Sequence, residues 1–153
     1  MVLGLNDALV ELTGALVGFT FALQDTLLVA MAGLITGVAA SLSMATSEYL
    51  STKSEGSGKV PIKAAGYTGV AYILTVLVLI FPYLILPDLY MCLVLTMIDA
   101  IIIIFVFTFY VSVAKSLPFK KRFLEMVFIS LGIASLTFAL SFLIRAFMGV
   151  EID

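Results

Sequence analysis

Five apolar runs, each about as long as a bilayer is thick, decide what this chain can fold into. The hydrocarbon layer takes about 20 helical residues at roughly 1.5 Å of rise each. Runs at 5–23, 26–50, 65–86, 89–114 and 123–148 meet that length, and only short polar segments separate them. The β-branched stretch from Ile101 to Ile104 does not argue for strands. An open strand in lipid leaves its backbone unsatisfied, and no alternation of about ten residues, as a barrel wall requires, is present. A hydrophobic share of 63% and a charged share of 12% fit this reading, since soluble domains sit nearer half and a quarter. The expected fold is an all-α integral membrane protein, one transmembrane domain over 1–153 built as a five-helix bundle. The first run carries two acids, has no basic segment ahead of it and leads straight into another span, so it is not expected to be a secretory signal.

Basic residues set the expected orientation. Lys53, Lys59 and Lys63 lie in the loop at 51–63, and Lys115, Lys120, Lys121 and Arg122 lie in or beside the loop at 115–122. Arg145 is the one basic residue near the other side. The positive-inside rule then places the N-terminus and both basic loops in the cytoplasm. The two tight turns, at Gln24–Asp25 and at Pro87–Asp88, face out. Tyr49, Tyr67, Tyr83, Tyr90 and Tyr110 fall near span ends, where an aromatic belt belongs.

Against this apolar background, acids stand out. Asp7 and Glu11 are four residues apart in the first span, as are Met44 and Glu48 in the second, so each pair lies on one helix face. A carboxylate inside a span is costly and usually faces a bundle interior or a water-filled path. Two antiparallel helices would bring all four side chains to the cytoplasmic end, with Asp7 and Glu48 at the mouth and Glu11 and Met44 roughly 6 Å deeper. Each acidic cluster ends a stripe of small residues: Gly14, Gly18 and Ala22 in the first span, Gly33, Gly37 and Ala40 in the second. Gly14 and Gly18 form a GxxxG pair of the kind that lets helices approach closely, and are expected at a dimer interface.

The chain has no histidine and a single cysteine, Cys92. A metal would therefore be held by carboxylates, thioethers, hydroxyls or carbonyls, and no intrachain disulfide can form. Oxygen ligands alone suit Mg²⁺, Ca²⁺ or Mn²⁺, whereas a thioether tilts the choice toward Fe²⁺ or a later transition metal. Met31 and Met97 could add sulfur. Blander roles stand beside each residue. Met44 could simply pack, Glu48 could reach out to water, and Asp7 could cap a helix. Asp99, inside the fourth span, is either a proton-relay or ion-path residue or an acid carried uncharged in lipid. Glu125 is a solvated acid of a helix first turn or a contributor to metal entry. The serines and threonines of the second span are expected to bond to their own backbone or a neighbouring helix.

The runs LGLNDALVELTGALVG and AGLITGVAASLSMATSEYLSTKSE resemble the signature of the vacuolar iron transporter family, in the bacterial and archaeal branch related to the membrane domain of membrane-bound ferritin-like proteins. VSVAKSLPFKKRFLEM and the five-span count extend the likeness. The resemblance implies a homodimer of five-span subunits in a prokaryotic cell membrane and a metal path at the dimer interface. It also implies movement of Fe²⁺, or of Mn²⁺, Co²⁺ or Zn²⁺, out of the cytoplasm in exchange for protons. The family's first-helix aspartate corresponds to Asp7, its second-helix methionine and glutamate to Met44 and Glu48, and the glutamate of this branch to Glu11. Ala8 departs from the glycine usual after that aspartate. KSEGSGKVP stands where many relatives carry a long acidic metal-binding stretch.

The expected function is thus a proton-coupled exporter of a divalent transition metal, with no permanently bound cofactor and no nucleic-acid partner. Two alternatives remain: a membrane anchor for a soluble metal-handling protein, and an uncoupled metal channel. An enzyme is not expected, because no nucleophile constellation or cofactor fingerprint is present.

Overall fold

The computed structural model describes residues 2–148 except 57 and 59, with side chains from residue 9 onward. It contains five helices: α1 (Val2–Leu23), α2 (Thr26–Glu55), α3 (Pro61–Ile85), α4 (Leu89–Lys115) and α5 (Phe119–Met148). No strand occurs among the described residues. Helices α2 to α5 are each long and apolar enough to cross a membrane. In α1, the part with described side chains, Leu9–Leu23, is a shorter apolar helix.

Helix ends follow the local chemistry. Asp25 and Asp88 cap α2 and α4, each accepting from a backbone N–H three residues on (Leu28 and Met91) at 2.8 Å. Gly56 and Ser116 close α2 and α4 in the left-handed conformation. Pro61 opens α3, where its missing N–H goes unneeded. The helices outrun their apolar spans, most of all α2, which continues to Glu55, and α3 and α5, which start four residues before 65 and 123. Hydropathy marks where lipid stops, whereas backbone bonding carries the helix on into water.

Helix α1 is the hub and touches all four others, with α5 its main partner, while α2 packs chiefly on α3. The core is formed by Leu12 and Leu16 of α1, Val29 of α2, and Tyr72, Val76 and Ile80 of α3. Large apolar side chains cover the outside, including Ile35, Phe128, Leu136 and Phe147. An apolar exterior around a tight core is what a lipid-solvated bundle requires.

Without a hydrophobic drive between helices in lipid, close packing and interhelical hydrogen bonds must hold the bundle. Ser141 donates to the Gly18 carbonyl at 2.8 Å, joining α5 to α1. Ser41 donates to the Gly69 carbonyl at 3.0 Å, joining α2 to α3. Thr96 donates to the Leu79 carbonyl at 3.0 Å, joining α4 to α3. Thr20 and Tyr83 hydroxyls meet at 2.7 Å between α1 and α3. Tyr83 is therefore an interior residue and not a belt residue, whereas Tyr67, Tyr90 and Tyr110 are exposed as a belt requires. Within α2, Thr46 bonds back to the Leu42 carbonyl, so both expected behaviours of its hydroxyls occur.

Candidate functional site

The circumference of α1 shows where a site can be. Leu16 lies against Gly33 of α2, where an added Cβ would come within 2.8 Å of Leu16 Cδ2. Thr20 points to α3 through Tyr83. Gly14 and Gly18 face α5: a Cβ on Gly14 would stand 2.7 Å from Ile133 Cγ2, and one on Gly18 would stand 3.2 Å from Ser141 Oγ. The close approach that these glycines permit is thus made within the chain, against α5. Periodicity identified the small-residue face but could not name the helix that covers it.

One strip of α1 is the least covered. Glu11 is exposed, and Ala15, Phe19 and Ala22 are half-buried along the same stripe. Glu11 is nonetheless tied down, since the Tyr72 hydroxyl of α3 donates to Glu11 Oε2 at 3.2 Å. Tyr72 itself is 0% exposed. A fixed polar donor thus reaches from the core to a carboxylate on the bundle surface.

On α2, Met44 and Glu48 are both half-buried. Met44 packs against the core. Counting from the Leu16–Gly33 contact, Glu11 lies about 8 Å and Met44 about 16 Å toward the same end of the bundle. Their backbones are therefore staggered, not level as the sequence suggested. Side-chain direction narrows the gap. Cα–Cβ bonds tilt toward a helix N-terminus, so in antiparallel α1 and α2 Glu11 leans toward that end while Met44 and Glu48 lean back from it. The lean shortens the gap between Glu11 and Met44, whereas Glu48 lies one turn, about 6 Å, further along α2 than Met44.

Asp7 lies one turn before Glu11 on α1, and its side chain is outside the described residues. Because α1 begins at Val2, Asp7 does not cap the helix. Met31 is exposed on α2, and Glu125 is exposed on α5. Asp99 is half-buried on α4, whose main packing partners are α1, α3 and α5. Among the described residues, no three His, Cys, Asp or Glu side chains cluster closely enough to hold a metal ion.

Arg145 is 7% exposed and donates to the Phe21 carbonyl at 3.0 Å, placing a cation on the C-terminal turn of α1, where the helix dipole favours it. Composition alone marked Arg145 as the odd basic residue on its side but could not supply its acceptor. Tyr72 escaped the sequence reading because it sits mid-span, away from any interface. The available signal was general: a phenol buried in lipid must find a partner.

Asp7 and Glu11 fall in α1, and Met44 and Glu48 in α2. Residues 1–59 match the VIT family. Over these residues the chain is similar to the VIT family. The VIT match covers α1, α2 and the start of the following loop, and so contains Asp7, Glu11, Met44 and Glu48. Asp99 and Glu125 lie beyond it. No curated protein matches the chain. The VIT match together with four membrane-length apolar helices makes this an integral membrane protein.

Proposed function

We propose that the protein is a proton-coupled exporter of divalent transition metal, Fe²⁺ first and Mn²⁺ second, working as a homodimer. Five helices cross the membrane, with the N-terminus and the loops at 51–63 and 115–122 in the cytoplasm. The metal path runs along the least covered strip of α1 and the adjoining face of α2, closed by the same surfaces of a second subunit. Asp7, Glu11, Met44 and Glu48 line it. The observation that carries the reading is Glu11: an exposed acid in an apolar helix, inside the segment similar to the VIT family, on the least covered strip of α1 among the described residues. Left facing lipid, a charged Glu11 would be strongly unfavourable. Opposite a second copy, it faces a polar path instead.

Carboxylates suit coupling, because a metal binds the deprotonated form and protonation releases it. The thioether of Met44 favours a first-row transition metal over Mg²⁺.

The test is flux into proteoliposomes. Fe²⁺ or Mn²⁺ should move with the purified protein, faster when an opposing proton gradient is imposed. Glu11→Ala or Glu48→Ala should stop the flux while leaving dimers intact by cross-linking. Flux indifferent to the gradient would make the protein a channel. No flux in any condition would leave only an anchoring role.

A further inference from the structure

We infer that Tyr72 is a positioning residue that holds Glu11 as a one-oxygen ligand and thereby biases the path against Ca²⁺. The inference rests on the transporter reading above but makes a separate claim, about selectivity. Tyr72 is 0% exposed and belongs to the same core cluster as Leu12, Leu16 and Val76, so its ring cannot follow a moving carboxylate. Its hydroxyl reaches Glu11 Oε2 at 3.2 Å. The sequence places this phenol in the middle of α3, well inside the apolar run, where a hydroxyl with only a packing role would be replaced by a phenylalanine without loss. A hydrogen bond on Oε2 restrains Glu11 and takes up part of the acceptor capacity of that oxygen, which makes it the poorer of the two ligands. The oxygen that Tyr72 does not engage is then the one offered to a metal.

One-oxygen ligation does not serve all cations equally. Ca²⁺ takes 6–8 oxygens at 2.3–2.6 Å and commonly uses both oxygens of a carboxylate. Smaller first-row metals need fewer ligands and accept a thioether such as that of Met44. A carboxylate pinned at one oxygen therefore supports Mn²⁺ or Fe²⁺ better than it supports Ca²⁺. Releasing the pin should let Glu11 turn and chelate through both oxygens.

The experiment uses the full chain in proteoliposomes, with Mn²⁺ as the transported probe and Ca²⁺ as competitor. Tyr72→Phe keeps the ring and removes the hydroxyl. Loss of a hydrogen-bond partner to a metal ligand typically weakens affinity roughly tenfold or more. Tyr72→Phe should therefore raise half-saturating Mn²⁺ by about that factor, with a smaller change in maximal rate. Ca²⁺ should become an effective competitor where it was not. Glu11→Asp, whose carboxylate is drawn back by one methylene, should loosen selectivity in the same direction, and it serves should Tyr72→Phe fold poorly. Mn²⁺ affinity and Ca²⁺ exclusion unchanged in both variants would overturn the inference, as would weaker Mn²⁺ binding with no gain in Ca²⁺ competition. Wild-type protein that moves no Mn²⁺ or Fe²⁺ would instead defeat the transporter reading itself.

Discussion

Gly37 carries much of the seating of α2 on α3, and replacing it with alanine tests how that contact supports the metal path. A Cβ at Gly37 would stand 2.5 Å from Val76 Cγ1, 2.7 Å from its Cγ2 and 3.2 Å from its Cβ. Ordinary contact begins at 3.4 Å, so the helices must part by about 0.9 Å at this point (3.4 minus 2.5). Val76 cannot turn aside, because both methyls and the branch point crowd the site and a β-branched residue in a helix has one strongly preferred rotamer. Overpacking of this kind costs about 1–3 kcal/mol. Gly33→Ala should cost less, since its nearest neighbour is Leu16 Cδ2, the far end of a flexible side chain, at 2.8 Å. Gly66→Ala and Gly132→Ala should be neutral or stabilising by up to about 1 kcal/mol, because a Cβ there meets nothing within 4 Å and alanine is the better helix former. Helical circular dichroism followed through thermal melting in detergent would give the order Gly37, then Gly33, then Gly66 and Gly132. Met44 and Glu48 lie on α2 beyond Gly37, so Gly37→Ala should also lower metal flux at temperatures well below its melt. A Gly37→Ala protein that melts with wild type and transports at the wild-type rate would refute the reasoning.

Three further outcomes follow from the contacts. Arg145→Met should lower the melting midpoint, because the Phe21 carbonyl loses a charged donor, an interaction worth about 1.5–3 kcal/mol; a melt equal to wild type would show that the bond contributes nothing. Ser141→Ala removes the bond to the Gly18 carbonyl and should cost only about 0.6 kcal/mol, the average for interhelical bonds in membranes, measured as the same midpoint shift. Asp99→Asn should leave Mn²⁺ flux within about twofold of wild type, since α4 packs mainly on α1, α3 and α5 while Met44 and Glu48 are on α2; a larger loss would bring Asp99 into the path.

How much of this was legible in the sequence depends on the kind of constraint. The five helices were, because lipid permits few alternatives and because turn residues such as Asp25 and Asp88 mark the breaks. Helix ends were not, since Ser51 to Glu55, Pro61 to Ala64 and Phe119 to Arg122 are helical yet polar or outside the apolar run. Small residues were readable as close-approach faces, but Gly14 and Gly18 could not announce α5, because spacing on one helix is silent about which neighbour fills it. For the same reason the partners of Arg145 and Tyr72 were hidden. Each bond joins residues more than sixty positions apart, and no local pattern encodes that pairing.

The site combines both kinds of information. Local cost singled out Glu11, an acid where lipid tolerates few. Three-dimensional packing adds that α1 touches all four other helices, and that its least covered strip runs from exposed Glu11 along half-buried Ala15, Phe19 and Ala22. A monomer dissolved in lipid would leave an exposed acid and a half-buried strip beside it facing acyl chains. A second copy applied to that strip would add to the Tyr72 hydroxyl a further polar neighbour for Glu11, and would set two sets of Glu11, Met44 and Glu48 across from one another. The two-fold arrangement inferred for transport is therefore also the arrangement that removes the least stable feature of the isolated chain.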